Sequence, residues 1–176
     1  MESPEILLAH HSEIREPQFL EFIREWEDAG EEGVPYVINR NGRRFAEQSA
    51  GWVRDESEDV RRKGFVPATL YFLVAGGGRI LGAIHLRHEL NDKLLHHGGH
   101  IGYGVRPSER GKGNAARMLR MLLRDRRVME LRRVLLTCDD DNLASAKTIE
   151  RCGGALWDTT EDQGRTIRRY WIDTAA

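Results

Sequence analysis

Apolar positions along this chain fall into two rhythms. From Glu16 to Trp26, the residues Phe19, Leu20, Phe22, Ile23 and Trp26 recur at intervals of three and four, the stripe of an amphipathic helix. A weaker stripe covers residues 45–60, with Trp52 and Val53 as its expected buried side. Ile6–Ala9 reads as a strand. Leu70–Ala75 is a continuous apolar run, Gly76-Gly77-Gly78 a turn and Ile80–Leu86 a return run, which together predict a β-hairpin. Residues 89–99 are polar and read as a long loop. His100–Val105 then alternates bulky Ile101, Tyr103 and Val105 with Gly102 and Gly104, a short strand that Pro107 ends because it lacks an N–H. Met118, Leu119 and Leu122 open a helix expected to reach about Met129, followed by a strand at Arg133–Cys138. A helix over Leu143–Arg151, capped by the polar residues 139–142 and closed by Gly153-Gly154, leads to two last strands at Ala155–Asp158 and Arg169–Ile172, with a turn around Gly164. With no repeat or low-complexity linker, these elements compose one α+β domain over residues 1–176. Its sheet is mixed and mostly antiparallel, flanked by helices, with a strand–helix–strand crossover in the second half. The helical N-terminal part, residues 1–66, is expected to line one side of a cleft.

The junction after the His100 strand carries the clearest chemistry. Arg110-Gly111-Lys112-Gly113-Asn114-Ala115 sits between a strand and a helix start. Such a turn exposes backbone N–H groups without internal partners at the positive end of a helix dipole, and glycine lets an anion come close to the backbone. A phosphate or pyrophosphate is the expected ligand. The nucleoside-triphosphatase loop does not fit, because Gly111-Lys112 is followed by Gly113 rather than Ser or Thr and position 106 is Arg. The dinucleotide fingerprint does not fit either, since Gly102-x-Gly104 meets Pro107 where the third glycine belongs.

Arg110-Gly111-Lys112-Gly113, with Arg106 or Arg110 in the leading position, resembles the Arg-x-Gly-x-Gly/Ala loop of the GNAT N-acetyltransferase family. A second segment, Asn142-Leu143-Ala144-Ser145 through Glu150-Arg151-Cys152-Gly153, is similar to that family's asparagine motif. The run from Gly98 to Arg110 looks like a bacterial branch of such enzymes. The resemblance covers residues 70–172 and is most specific over the core at 98–154. It implies acetyl-CoA as co-substrate, with Tyr103, Gly104 and Val105 holding the acetyl and pantetheine portion. Arg110, Gly111, Lys112, Gly113, Asn114 and Ala115 would take the pyrophosphate, with Asn142 and Ser145 contributing from the following helix. The implied reaction is direct attack by a primary amine, from a small molecule or a peptide, in a ternary complex. A non-catalytic CoA-binding module of the same fold is the alternative.

That alternative is motivated by a departure from the family pattern. The Tyr that many members carry seven residues after the asparagine is Ile149 here. A strand carboxylate base is also missing, which leaves His100, Glu89 and, beyond the Cys138 strand, Asp139 as candidate bases, with Tyr103 a further catalytic candidate. A CoA thiol with a pKa of ~8.5, like free Cys, leaves tolerably unaided. His85, His88, His96, His97 and His100 crowd a short stretch, but His85 and His88 fall on opposite strand faces and no metal is expected there.

Composition narrows the setting. Basic residues number 27 and acidic residues 28, so nothing global favours a nucleic acid. No apolar run approaches the ~20 residues of a membrane span. The acidic start, Met1-Glu2-Ser3-Pro4-Glu5, does not resemble a signal peptide, and two cysteines without one point to reduced thiols in the cytoplasm. A homodimer is compatible with the resemblance.

Overall fold

A computed structural model of the protein describes residues 5–174. Strand β1 (Ile6–His10) leads through a turn into helix α1 (Glu16–Asp28), and a loop crosses to α2 (Phe45–Asp55). The hairpin β2 (Ala68–Ala75) and β3 (Arg79–Arg87) follows, then a short helix α3 (Asp92–His96) and β4 (Ile101–Val105). The second half runs α4 (Asn114–Leu123), α5 (Arg126–Glu130), β5 (Arg133–Asp139), α6 (Leu143–Arg151), β6 (Ala155–Asp162) and β7 (Arg165–Asp173).

The strands form two antiparallel sheets, ordered β1-β2-β3-β4 and β5-β7-β6. The α+β architecture agrees with the expectation, but the crossover through α4 and α5 joins two sheets instead of neighbours in one ladder. Three details also differ. The helix expected to reach Met129 breaks at Arg124, because Asp125 turns its carboxylate onto the Arg127 N–H and caps a new helix. The polar stretch 89–99 holds α3, started by an Asn91 side chain that accepts from Leu94 N–H. On α2, Trp52 is buried as expected while Val53 points to solvent.

The first sheet is covered on both faces, which is why β2 is apolar without interruption from Leu70 to Ala75. Leu70 and Phe72 pack with Phe19, Phe22, Trp26, Ile38 and Trp52 under α1 and α2. Tyr71 and Leu73 point the other way, into a core shared with Met118, Leu119 and Leu122 of α4 and Tyr170 of β7. Period-two orientation of a strand buried on two sides produces this division. Trp52 meets Phe19 edge-on at 5.2 Å and lies 5.7 Å from Phe72, so one aromatic cluster seats both N-terminal helices.

One buried charge fixes α1 against the end of β4. Arg106 is 2% exposed and donates to Glu25 from Nε at 2.6 Å, to Glu21 from two nitrogens at 2.7 and 2.8 Å and to the Ile80 carbonyl at 2.9 Å. Burial raises the Glu25 pKa, but the Ser108 N–H at 2.5 Å and Arg106 outweigh it and bring the carboxyl down to about 2. Arg106 is thereby committed to structure, which leaves Arg110 as the arginine of the glycine loop.

Arg106→Ala takes the shared partner from Glu21, which keeps Arg79, and from Glu25, which keeps the Ser108 N–H, and is expected to cost about 1.5–3 kcal/mol in urea unfolding. Because the Glu25 pKa is depressed when folded, its contribution is complete above its ordinary value of 4.5 and fades as pH falls toward about 2. Acid titration of the Arg106→Ala variant should show a smaller component of stability loss, since the Ser108 N–H still holds the Glu25 carboxylate.

Candidate active site

The two sheets touch where β4 begins and part beyond it. The His100 N–H donates to the Leu135 carbonyl at 2.7 Å, and the Leu135 N–H donates back to Nδ1 of the His100 ring at 2.9 Å. An imidazole thus stands where a backbone carbonyl would continue the ladder. From there β4 pairs only with β3. Alternation along that ladder turns the N–H and C=O groups of Tyr103 and Val105 away from β3, toward the gap. Arg110 Nε takes the Val105 carbonyl at 3.2 Å.

The gap opens into a cleft of about 600 Å³. Its floor is Tyr103, Gly104 and Val105, its far wall the first turns of α6 with Asn142, Ser145 and Thr148, and its mouth the glycine loop before α4. The loop between α1 and α2 supplies the near wall with Glu31, Glu32 and Val34. Gly104 is small for a local reason: a Cβ there would run into the Val34 carbonyl where that loop crosses β4.

At the mouth, Gly111 and Gly113 adopt φ of +72° and +79°, the left-handed region that favours glycine. Gly113 is the N-cap of the ten-residue α4, and the Asn114 side chain donates to the Glu109 carbonyl at 3.1 Å. The Arg117 N–H returns to the Gly113 carbonyl, but among the described residues no acceptor meets the N–H groups of residues 111–116. Six unpartnered donors at the positive end of a helix suit an anion. Arg110 leans over the Trp26 ring at 4.9 Å and pairs with Glu31 at 2.6 Å.

Deeper in, the Tyr103 hydroxyl meets Ser145 Oγ at 3.0 Å across the gap. Burial is the main cause that pushes the Tyr103 phenol up to about 12, so it keeps its proton. Asn142 caps α6 by accepting from the Ser145 N–H at 3.1 Å, and this holds Ser145 opposite Tyr103.

The profile of the acetyltransferase (GNAT) domain matches residues 16–155. The chain belongs to the GNAT acetyltransferase family. It is therefore an acetyl-CoA-dependent N-acetyltransferase, and a row of free N–H groups leading into an elongated cleft fits a pyrophosphate-bearing co-substrate. Solved structures agree in fold. The ribosomal L7/L12 α-N-protein acetyltransferase RimL in complex with coenzyme A is 17% identical, with coverage of 100% of this chain and 97% of that one and a TM-score of 0.63. A mutant of the spermidine N-acetyltransferase SpeG from Vibrio cholerae is 14% identical, with 96% and 94% covered and a TM-score of 0.64. A GNAT-family acetyltransferase from Bordetella pertussis is 16% identical, with 98% of both chains covered and a TM-score of 0.64. A search of curated protein sequences returns no match.

Within this GNAT cleft the structure gathers Tyr103, Gly104, Val105, Arg110, Gly111, Gly113, Asn114, Ala115, Asn142 and Ser145. Lys112 instead reaches Glu109 at 3.1 Å on the outside. Glu89 is held away from the cleft by two 2.7 Å bonds from Arg61. His100 is 6% exposed, and burial first, Arg87 second, push its pKa down to about 4. Ile149 is fully buried on the core side of α6. The other clustered histidines disperse: His96 and His97 bind the β6–β7 hairpin through the Glu161 carbonyl at 2.8 Å and the Asp162 carboxylate at 2.5 Å. Trp26 and Val34 are the lining residues that sequence patterning assigned only to core and turn; no local motif marks them.

Gly113→Glu tests the anion site. Open space surrounds the position, so the chain should fold despite a positive φ that costs about 1–2 kcal/mol. Calorimetric affinity for CoA should fall by more than about 10²-fold, as a carboxylate then faces the phosphates.

Proposed function

We propose that acetyl-CoA lies with its pyrophosphate on the N–H groups of residues 111–116 and its pantetheine arm along the free edge of β4, and that a cationic primary amine enters past Glu31 and Glu32 and attacks directly in a ternary complex. One observation carries this reading: the unpartnered donors of the glycine loop lead along one continuous cleft to the Tyr103–Ser145 pair. The thioester supplies an activated acetyl carbonyl and a thiolate leaving group of pKa ~8.5.

The chain's own part is to orient and to stabilise charge. The N–H groups of Tyr103 and Val105 face the gap as donors for a developing oxyanion. Tyr103 keeps its proton, so its hydroxyl, with that of Ser145, donates hydrogen bonds to a departing sulfur and leaves its reprotonation to water. Glu32 borders the cleft with no ion-pair partner among the described residues, which suits it to attract an ammonium and accept its proton. His100 acts as a positioning residue, because the nitrogen that would serve as a base already accepts the Leu135 N–H. Glu89 takes no part. Cys138 is no nucleophile, since burial is the main cause pushing its thiol up to about 11.

An amine acceptor is supported from two sides. The carboxylates Glu31, Glu32 and Glu109 border the cleft. The names of the two neighbours, one acting on spermidine and one on a protein α-amine, span small-molecule and peptide acceptors. The setting we infer is the cytoplasm of a bacterium, which the two free thiols and the bacterial source of the named neighbours support.

Free thiol release from acetyl-CoA, followed with a polyamine and with a peptide bearing a free N-terminus, tests the reading. Release should require amine and should climb with pH as the acceptor loses its proton. Tyr103→Phe should lower kcat by about 10²-fold while leaving CoA affinity nearly unchanged. Firm CoA binding without amine-dependent release across such a panel would identify a non-catalytic CoA-binding module instead.

A further inference from the structure

A second constellation lies on the other edge of the first sheet, among residues that take no part in the cleft. At the end of β1 the chain presents His10 and His11 in succession, and Glu56, the residue that closes α2, faces them. Nε2 of His10 lies 2.7 Å from Glu56 Oε1, and Nε2 of His11 lies 3.4 Å from the same oxygen. The three donor atoms fall within 4.8 Å of one another.

Hydrogen bonding accounts for two of the three groups and leaves the third. His10 and Glu56 form a direct bond, but His11, only 2% exposed, has a fully buried Nε2 with no hydrogen-bond partner. A buried polar nitrogen left in that state is costly. That nitrogen lies 3.4 Å from a carboxylate oxygen, with the ring of a second imidazole 4.1 Å from its own.

We propose that His10, His11 and Glu56 bind one divalent transition metal of the zinc class. Two imidazole nitrogens and one carboxylate oxygen are a known three-ligand set for tetrahedral zinc, which leaves a fourth position for water. Bonds of about 2.0–2.1 Å to a tetrahedral ion place donor atoms about 3.3 Å apart. The His11–Glu56 separation of 3.4 Å is already at that value, the His10–Glu56 contact has to open from 2.7 Å, and the two Nε2 atoms lie within 4.8 Å of each other. Ligation moves the ring proton of His10 from Nε2 to Nδ1 with no net release, and Ser12 Oγ, 2.8 Å from Nδ1, accepts the resulting N–H in place of the bond that Nδ1 takes from the Ser12 N–H at 3.2 Å. Around the trio, Thr69 Oγ1 takes a bond from Arg127 at 3.0 Å and lies 2.9 Å from His88 Nε2, so a cation and a third imidazole stand just behind the carboxylate.

Such an ion ties the end of β1 to the end of α2, two elements that meet only through side chains. Its role is structural. It is independent of acetyl-CoA binding, because none of the three ligands borders the cleft.

The test uses the untagged full chain, stripped with a chelator and titrated with zinc chloride by calorimetry, with cobalt(II) as a visible-absorption probe of coordination. One equivalent of zinc is expected at micromolar affinity or better, with a rise in Tm and tetrahedral cobalt bands. Glu56→Gln and His10→Gln, both at partly exposed positions, should each weaken binding by at least about tenfold while CoA affinity stays unchanged. His97→Gln should leave zinc binding as it is. Absence of a one-equivalent site in the native chain overturns the proposal, as does zinc binding that both trio variants leave intact. Should either variant misfold, the native titration and its cobalt spectrum still decide the matter.

Discussion

The cleft exists because the sheets are joined at one point and nowhere beyond it. At that point His100 contributes two bonds to Leu135, one from its backbone and one to its ring. The ring nitrogen satisfies Leu135, while the His100 carbonyl that would carry the pairing on instead accepts the Arg87 N–H at 2.7 Å. The strands are then free to diverge, and the unpaired edge of β4 becomes a wall of donors and acceptors facing a ligand. Burial keeps that imidazole neutral, so the junction stays closed throughout the pH range where an amine can react.

Divergence alone would leave an open groove. Arg106 prevents that by tying α1 to the end of β4 through Glu21 and Glu25, which aims the loop after α1 across the strand at Gly104. Tertiary placement divides the arginines by function. Arg106 is spent inside on carboxylates, while Arg110, four residues on, stays at the cleft with its charge balanced by Glu31. The same loop that closes the cleft also sets the acidic rim through which a cationic acceptor would pass.

The chemistry the residues support is modest in acid–base terms. With Ile149 in the core and His100 engaged, the reaction we propose leaves proton transfer to a rim carboxylate and to water, and makes fixed dipoles the protein's larger contribution. Those dipoles come from backbone groups at a helix start and a strand edge, which require little of the side chains beyond glycine where the backbone must turn.

The sequence alone was enough for the elements whose patterns are local: the amphipathic α1, the β2–β3 hairpin, the β4–glycine loop–α4 junction and the capped α6. It also gave reason to expect an anion at that loop, since glycines just before an apolar helical stripe let a ligand approach the first-turn N–H groups. What it could not assign were roles that depend on distance across the chain. His100 and Glu89 read as candidate bases because their chemistry suits the task, yet the structure engages one with Leu135 and the other with Arg61. Trp26 and Val34 reach the cleft, and His10, His11 and Glu56 converge, only after β1, α1 and α2 have packed on the sheet. Periodicity and turn chemistry act over a few residues and can be read directly. Which buried group meets which partner is decided by packing between elements tens of residues apart, and that only the tertiary structure supplies.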